Sequence, residues 1–173
     1  VMPMPENISL SADKYRLTPQ FDISVFGIED KDLYAYTSGF LRRLSGRTGL
    51  FFPQDYISAM HRQDSSDLQI YTEQKGKLQI REDESYFLRI SSSTITLKAA
   101  TTFGSMRGLE TLLQLLRADE NGYYFQGALI TDKPRFTWRG LMIDVSRHWM
   151  PIDMVLRNID AMAAVKLNVL HMH

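Results

Sequence analysis

Alternating apolar and polar residues predict several half-buried strands in the first hundred positions. Phe21, Ile23 and Val25 alternate with polar residues, which is the period-two pattern of a strand with one dry face. The same pattern recurs at 68–70, 86–90 and 94–97. The serine run 91–93 supplies a turn between the last two of these segments, so we expect those two to pair as an antiparallel hairpin.

Apolar residues at helical spacing predict two helices in the same part of the chain. The first covers 31–44 and is closed by Gly46 and Gly49. The second covers 105–117 and stops at the polar turn 119–122. The order strand, helix, several strands, helix predicts an α+β domain, in which helices pack on one face of a small sheet.

We assign residues 1–133 to this α+β domain, and the sequence predicts a second unit after it. An apolar strand at 139–146, a helix opened by Pro151 and a second apolar strand ending at 171–173 form a βαβ unit. Such a unit normally continues as a parallel sheet or barrel. Residues 134–173 are therefore expected to begin a second domain.

Charge and composition exclude several classes of function. The chain has 20 basic and 20 acidic residues, so no overall field attracts nucleic acid or an anionic membrane. It has no cysteine, which excludes disulfides, thiolate metal sites and cysteine nucleophiles. No apolar run approaches the roughly 20 residues of a membrane span. A neutral ligand fits this composition best, and we expect no cofactor.

Arg139 and Asp144 are the charged residues of the predicted strand 139–146. Strand geometry places them on opposite faces and roughly 16 Å apart, so they should serve different purposes. A buried arginine cannot lose its charge and therefore needs acceptors. Arg139 could grip vicinal hydroxyls of a sugar, or it could form a structural ion pair at the base of a barrel. Spacing alone favours the ion pair.

The segment around Ser146 contains the residue types of a serine hydrolase. No glycine-flanked nucleophile elbow surrounds Ser146, however, and Asp144 is too close in sequence for a relay. We instead expect Asp144, Arg147 and His148 to fix the strand-to-helix loop through mutual hydrogen bonds. Barrel sites are built on loops of this kind.

His171 and His173 lie on one face of the second predicted strand. Their spacing is compatible with a zinc ion, for which His148 would be the third protein ligand. Packed, hydrogen-bonded histidines at a strand end are the alternative. We favour that alternative and assign no metal.

Two sequence blocks resemble family 20 glycoside hydrolases, the β-N-acetylhexosaminidases. These blocks are RGLMIDVSRH at 139–148 and NVLHMH at 168–173. Upstream, GSMRGLETLLQL at 104–115 and the strand at 86–90 look like the small α/β domain that precedes the catalytic barrel in that family. The resemblance covers essentially the whole sequence.

The resemblance implies a (β/α)8 TIM barrel of which 134–173 are the first strand, helix and second strand. It also implies that Arg139 lies at the floor of the pocket and hydrogen-bonds hydroxyls of the terminal N-acetylhexosamine. The supporting positions are then Asp144, Arg147, His148, His171 and His173.

The chemistry that the resemblance implies is substrate-assisted and retaining. The acetamido oxygen of the substrate attacks the anomeric carbon, an aspartate orients that group, and a glutamate protonates the leaving oxygen. The family's adjacent Asp-Glu pair has no counterpart before His173, and Met172 stands where the family has tryptophan. We therefore expect no catalytic residue in this chain, and no activity from it alone.

An isolated βαβ unit leaves its sheet edges and apolar faces uncovered, so we interpret the sequence as a truncated part of a longer exo-acting enzyme. The expected partners are N-acetylhexosamine-containing glycans and the remainder of the barrel. The absence of cysteine and of extended loops favours a periplasmic or secreted location. The alternative is a non-catalytic scaffold or interaction module, because the groups that cleave the bond lie elsewhere.

Overall fold

A computed structural model describes residues 1–53, 57–58 and 65–173, and ten strands and three helices occur in these ranges. In chain order they are β1 (Asn7–Arg16), β2 (Ile23–Gly27), α1 (Lys31–Thr48), β3 (Ile57–Ser58), β4 (Leu68–Gln74), β5 (Tyr86–Ile90), β6 (Ile95–Thr101), α2 (Thr102–Gln114), β7 (Leu116–Asp119), β8 (Gly122–Asp132), β9 (Gly140–Ile143), α3 (Ile152–Ala164) and β10 (Val169–Met172). The predicted combination of a sheet with helices is confirmed. None of the described helices has the length and apolar content needed to cross a membrane.

Eight of the described strands form one mixed sheet in the order β1-β8-β5-β6-β4-β2-β3, with β7 paired to β8. The antiparallel β5–β6 hairpin is confirmed, and Ser91 N–H donates to Thr94 O at 3.0 Å in its turn. β4 joins this hairpin on the side of β6, with which it pairs in parallel. The chain passes from β4 to β5 across a gap of one strand. β6 then turns back to fill that gap, so it runs in the direction of β4.

One face of this sheet carries the hydrophobic core. Alternate residues of its central strands, such as Leu68, Ile70 and Leu97, are completely buried. Helix α2 packs across β4, β5 and β6, and α1 packs against α2, so both helices contribute to the same core. Asp30 caps the start of α1, where its side chain accepts the Asp32 N–H at 2.8 Å.

The boundaries of the elements differ from the sequence prediction where apolar periodicity is weak. β1 has no predicted counterpart because most of its side chains are exposed and its pairing with β8 shifts register midway. Helix α2 begins at Thr102 instead of position 105, because Thr101 caps it by accepting the Gly104 N–H at 3.3 Å. The predicted last turn of this helix instead enters β7.

β9 and β10 form a separate two-stranded parallel sheet, and α3 connects them. This is the predicted βαβ unit, although β9 covers only four residues of the expected strand 139–146. Among its described residues, the buried apolar side chains are Ile143, Val155 and Met162. Large apolar side chains that stay exposed include Met142, Trp149, Ile152, Leu156 and Met172. The unit therefore presents uncovered apolar surface on several sides.

A substitution at Gly104 tests how closely α2 approaches the sheet. A Cβ at Gly104 would lie 2.3 Å from Ser85 O, whereas a Cβ at Gly46 in α1 meets nothing within 4 Å. We expect Gly104→Ala to lower the free energy of unfolding by about 1–3 kcal/mol through overpacking. Gly46→Ala should raise it by up to about 1 kcal/mol through helix propensity. Urea denaturation measures both, and a Gly104→Ala variant as stable as the wild type would contradict the contact.

Candidate functional site

Three polar side chains meet where β9 and β10 end. They are Asp144, Arg147 and His173, which we call the carboxyl-end cluster. Asp144 Oδ2 lies 3.1 Å from Arg147 Nε, and Asp144 Oδ1 lies 3.6 Å from His173 Nδ1. The same Oδ1 also accepts the backbone N–H groups of Ser146 and Arg147, at 3.1 Å each. Asp144 therefore fixes the first turn of the loop that follows β9.

Backbone hydrogen bonds hold the two strand ends together at this cluster. His173 O accepts the N–H groups of Val145 at 3.0 Å and Ser146 at 3.1 Å, and His173 N–H donates to Ile143 O at 2.9 Å. The carboxyl ends of parallel strands are where α/β proteins build ligand sites. The Arg147 side chain is 79% exposed, so its terminal nitrogens are open to an incoming acceptor.

His148 and His171 are exposed, and neither side chain forms a hydrogen bond with another residue that the structure describes. His171 lies in register with Met142 across the β9–β10 pair. The described ranges contain no group of three or more His, Cys, Asp or Glu side chains placed to hold a metal ion. Of the predicted supporting residues, the structure thus brings together Asp144, Arg147 and His173.

Arg139 lies at the opposite, amino-terminal end of β9 and takes no part in the carboxyl-end cluster. Its Nε donates to Lys166 O at 2.9 Å, and its Nη1 donates to Phe136 O at 2.8 Å. Its Nη2 donates to Glu84 Oε2 at 2.6 Å, and the side chain is only 13% exposed. The family resemblance implied a sugar contact for Arg139, whereas spacing alone favoured an ion pair. In the structure the Arg139 side chain forms an ion pair with Glu84.

Glu84, in the loop before β5, is the centre of a buried polar group between the two sheets. Its Oε2 accepts from Arg107 Nε at 2.5 Å and from Arg139 Nη2 at 2.6 Å. Asn168 Nδ2 lies 3.4 Å from its Oε1. We call these four residues the junction network. Burial disfavours the ionised form of Glu84, but the two guanidinium groups outweigh burial, so the pKa of Glu84 lies below its usual value.

A second buried ion pair links the same parts of the molecule. Lys166 Nζ donates to Asp132 Oδ2 at 3.1 Å and to Tyr86 OH at 2.9 Å. Burial lowers the pKa of Lys166, against the opposing attraction of Asp132. Lys166 has a φ of 62°, a left-handed conformation that usually selects glycine or asparagine after a helix. Its side-chain partners therefore hold the backbone in that conformation.

Sequence reasoning missed Glu84, Arg107, Asp132 and Lys166. The available signal was a lone charge beside an apolar run, as with Lys166 in AAVKLNV and Asp132 after the apolar part of β8. A charge in such a position predicts a buried partner. The sequence does not identify the partner, because Lys166 and Asp132 are 34 positions apart.

Because Glu84 forms two buried ion pairs, we expect the stability of the fold to decrease in acid. Because the pKa of Glu84 is lowered in the fold, its contribution to stability is complete above the unfolded value of about 4.3 and is lost as pH falls through the folded pKa. Glu84→Gln should lower the free energy of unfolding at pH 7 by about 3 kcal/mol or more, because it leaves two buried cations without a carboxylate. The substitution should also make the free energy of unfolding less dependent on pH in the acid range.

Urea denaturation between pH 3 and pH 7 measures both effects of the Glu84 substitution. Glu73→Gln is the matched control, because Glu73 is an exposed glutamate at the end of β4. Its curve should follow that of the wild type. An acid dependence in Glu84→Gln as steep as in the wild type would mean that another group is responsible.

Two family models match this chain, one on each side of the region around 116–135. Residues 1–115 match the β-acetyl hexosaminidase-like model, and residues 136–173 match the catalytic domain of glycosyl hydrolase family 20. β-Hexosaminidase subunit A1 of Dictyostelium discoideum is 35% identical over 100% of this chain and 32% of its own length. β-Hexosaminidase 1 of Arabidopsis thaliana is 33% identical over 99% of this chain and 35% of its own length.

Solved structures are similar over the whole chain. A chitobiase of Flavobacterium johnsoniae has a TM-score of 0.94 at 45% identity, covering 100% of this chain and 26% of its own. An exo β-N-acetylglucosaminidase of Vibrio harveyi, in complex with N-acetylglucosamine, has a TM-score of 0.77 at 26% identity, covering 100% of this chain and 25% of its own. The chain therefore spans about a quarter to a third of the proteins it matches. Because the two models cover most of its length, the chain belongs to glycosyl hydrolase family 20, the family of the β-N-acetylhexosaminidases.

Proposed function

We propose that the whole protein is an exo-acting β-N-acetylhexosaminidase that removes terminal N-acetylglucosamine or N-acetylgalactosamine from glycans. The observation that carries the proposal is the carboxyl-end cluster, because it lies within residues 136–173, which match the family's catalytic domain. The names of the similar proteins support the same activity.

The proposed reaction is substrate-assisted and proceeds with retention. The acetamido oxygen attacks the anomeric carbon and displaces the leaving group, so the protein needs no nucleophile of its own. An aspartate that orients the acetamido group and a glutamate that protonates the leaving oxygen come from the remainder of the protein. The described residues contribute the wall of the sugar pocket.

β9, α3 and β10 are proposed to open a (β/α)8 barrel. Parallel strands are normally covered on both faces, but Met142 and Met172 are 63% and 51% exposed here. Trp149, in the loop at the carboxyl end, is 83% exposed. The remaining strands and helices of the barrel would cover these apolar side chains, and they are the partner that this surface fits.

Within this proposal the sugar contact belongs to Arg147 and not to Arg139. Arg139 has every nitrogen bonded to the protein at the amino-terminal end of β9, whereas barrel enzymes bind substrate at the carboxyl ends of strands. Arg147 lies at that end and is oriented by Asp144. Its exposed fork of N–H donors suits vicinal hydroxyls of a sugar ring. Arg139 then supports the site by fixing the start of β9.

Kinetics of the whole protein separate the roles of the two arginines. Arg147→Ala should lower kcat/KM on an aryl N-acetyl-β-glucosaminide by about 10- to 1,000-fold, because a charged substrate contact is lost. Its thermal midpoint should stay close to that of the wild type, because the side chain is exposed. Arg139→Ala should mainly lower the thermal midpoint, because it strips a buried carboxylate of one partner.

Arg157→Ala is the control for these assays, because Arg157 is exposed in the middle of α3. It should change neither kcat/KM nor the thermal midpoint. If folded Arg139→Ala lost turnover while Arg147→Ala kept it, the sugar contact would return to Arg139. If the whole wild-type protein cleaved neither the glucosaminide nor the galactosaminide, the non-catalytic scaffold would be the better account.

A further inference from the structure

The junction network contains one more positive charge than negative charge. Glu84 is the carboxylate for both Arg107 and Arg139. The two arginine side chains are each 13% exposed and that of Glu84 is 6% exposed. A guanidinium group does not release its proton at any ordinary pH, so the imbalance cannot be removed by titration.

Nearby buried carboxylates do not correct this imbalance. Asp132 is already paired with Lys166 at 3.1 Å, and Glu110 is already paired with Arg43 at 2.5 Å. Among the described residues, one buried positive charge of the junction network thus lacks a counter-charge of its own. A positive charge without a counter-charge interacts more strongly with an anion in a largely buried network than in open water, so the arrangement favours an additional anion.

Arg107 is the member of the network with donors to spare. Its Nε donates to Glu84, but its Nη1 and Nη2 have no hydrogen-bond partner within the part of the chain that the structure describes. Arg139, by contrast, has a protein acceptor for each of its nitrogens. The terminal nitrogens of an arginine form a planar fork that matches two oxygens of one oxyanion.

Arg107 also lines a cavity of about 220 Å³, which we call the junction cavity. This volume equals roughly seven water molecules at about 30 Å³ each, which is enough for a small anion with some of its hydration. Lys166 lines the same cavity, and the exposed residues Lys133 and Arg135 also border it. The cavity walls hold three more basic residues than acidic residues, so the local field attracts an anion.

We propose that the junction cavity is a binding site for a small oxyanion from solution, held by Nη1 and Nη2 of Arg107. The anion supplies the negative charge that Glu84 alone does not provide. Because Arg107 lies on α2 and the cavity is also lined by Arg139, the bound anion strengthens the attachment of β9 to the main sheet. The site is separate from the carboxyl-end cluster, which lies at the other end of β9.

Inorganic phosphate is the probe for this site. Isothermal titration of the whole protein at pH 7.5, with chloride keeping the ionic strength constant, should detect one phosphate site per chain. Arg107→Lys should weaken phosphate binding by about tenfold or more, because lysine keeps the charge beside Glu84 but lacks the bidentate fork. Arg43→Lys is the matched control, because Arg43 belongs to a balanced pair, and it should leave phosphate affinity unchanged.

A second variant covers the case in which Arg107→Lys does not fold. Lys133→Gln alters a side chain that is 65% exposed, so the fold should tolerate it, and phosphate affinity should fall by about two- to fivefold through the weaker local field. Equal phosphate affinity in all variants overturns the proposal. So does the absence of saturable binding, which is the result expected if a carboxylate of the whole protein fills the cavity. Displacement of phosphate by N-acetylglucosamine also overturns it, because the anion would then occupy the sugar site.

Discussion

The position of the second sheet, formed by β9 and β10, depends on the ion pairs of one buried carboxylate, that of Glu84. This carboxylate receives Arg107 from α2, which the hydrophobic core holds against the main sheet, and Arg139 from the segment before β9. Removing three charged groups from water is costly unless their geometry satisfies them. The position of Arg139 relative to α2 is therefore narrowly defined, and the first residues of β9 are placed with it.

The amino-terminal anchoring of β9 and β10 determines where their carboxyl ends lie. Asn168 contacts Glu84 and accepts the Arg139 N–H at 2.9 Å, so both strands start from the same network. Lys166 adds a second anchor at the end of α3 through Asp132. β9 and β10 are only four residues long and are both fixed at their amino-terminal ends. Their parallel pairing therefore determines how Asp144 and His173 are placed relative to each other at the carboxyl ends. The stability of the junction and the geometry of the candidate site are thus linked through β9 and β10.

The local pattern of apolar and polar residues was sufficient to predict those elements in which buried and exposed side chains alternate with the period of a helix or a strand. The β5–β6 hairpin and α1 belong to this class, because each has one buried and one more exposed face. β1 does not, since it lies at the sheet edge with mostly exposed side chains and is held by backbone pairing to β8. The local sequence does not predict the parallel pairing of β4 with β6 either, because that pairing depends on the position that β6 takes in the sheet after β5.

The candidate site could be predicted in its residue types but not in the division of roles among them. Loop chemistry around Asp144 follows from a strand-to-helix turn, whereas the partner of Arg139 is Glu84, 55 positions earlier in the chain. Pairing at that separation depends on the packing of α2 against the sheet, which local sequence does not specify.

Arg139 and Arg147 stand eight positions apart in one motif, but the fold gives them opposite environments. A guanidinium that binds a ligand must keep donors open to solvent, and the Arg147 side chain is 79% exposed with Asp144 behind it. A guanidinium that fixes a junction must have its donors satisfied by protein, and Arg139 is 13% exposed with acceptors on every nitrogen. One arginine cannot meet both requirements in one conformation. The strand between them separates the two environments, with a guanidinium bonded to protein before its amino terminus and one open to solvent after its carboxyl terminus.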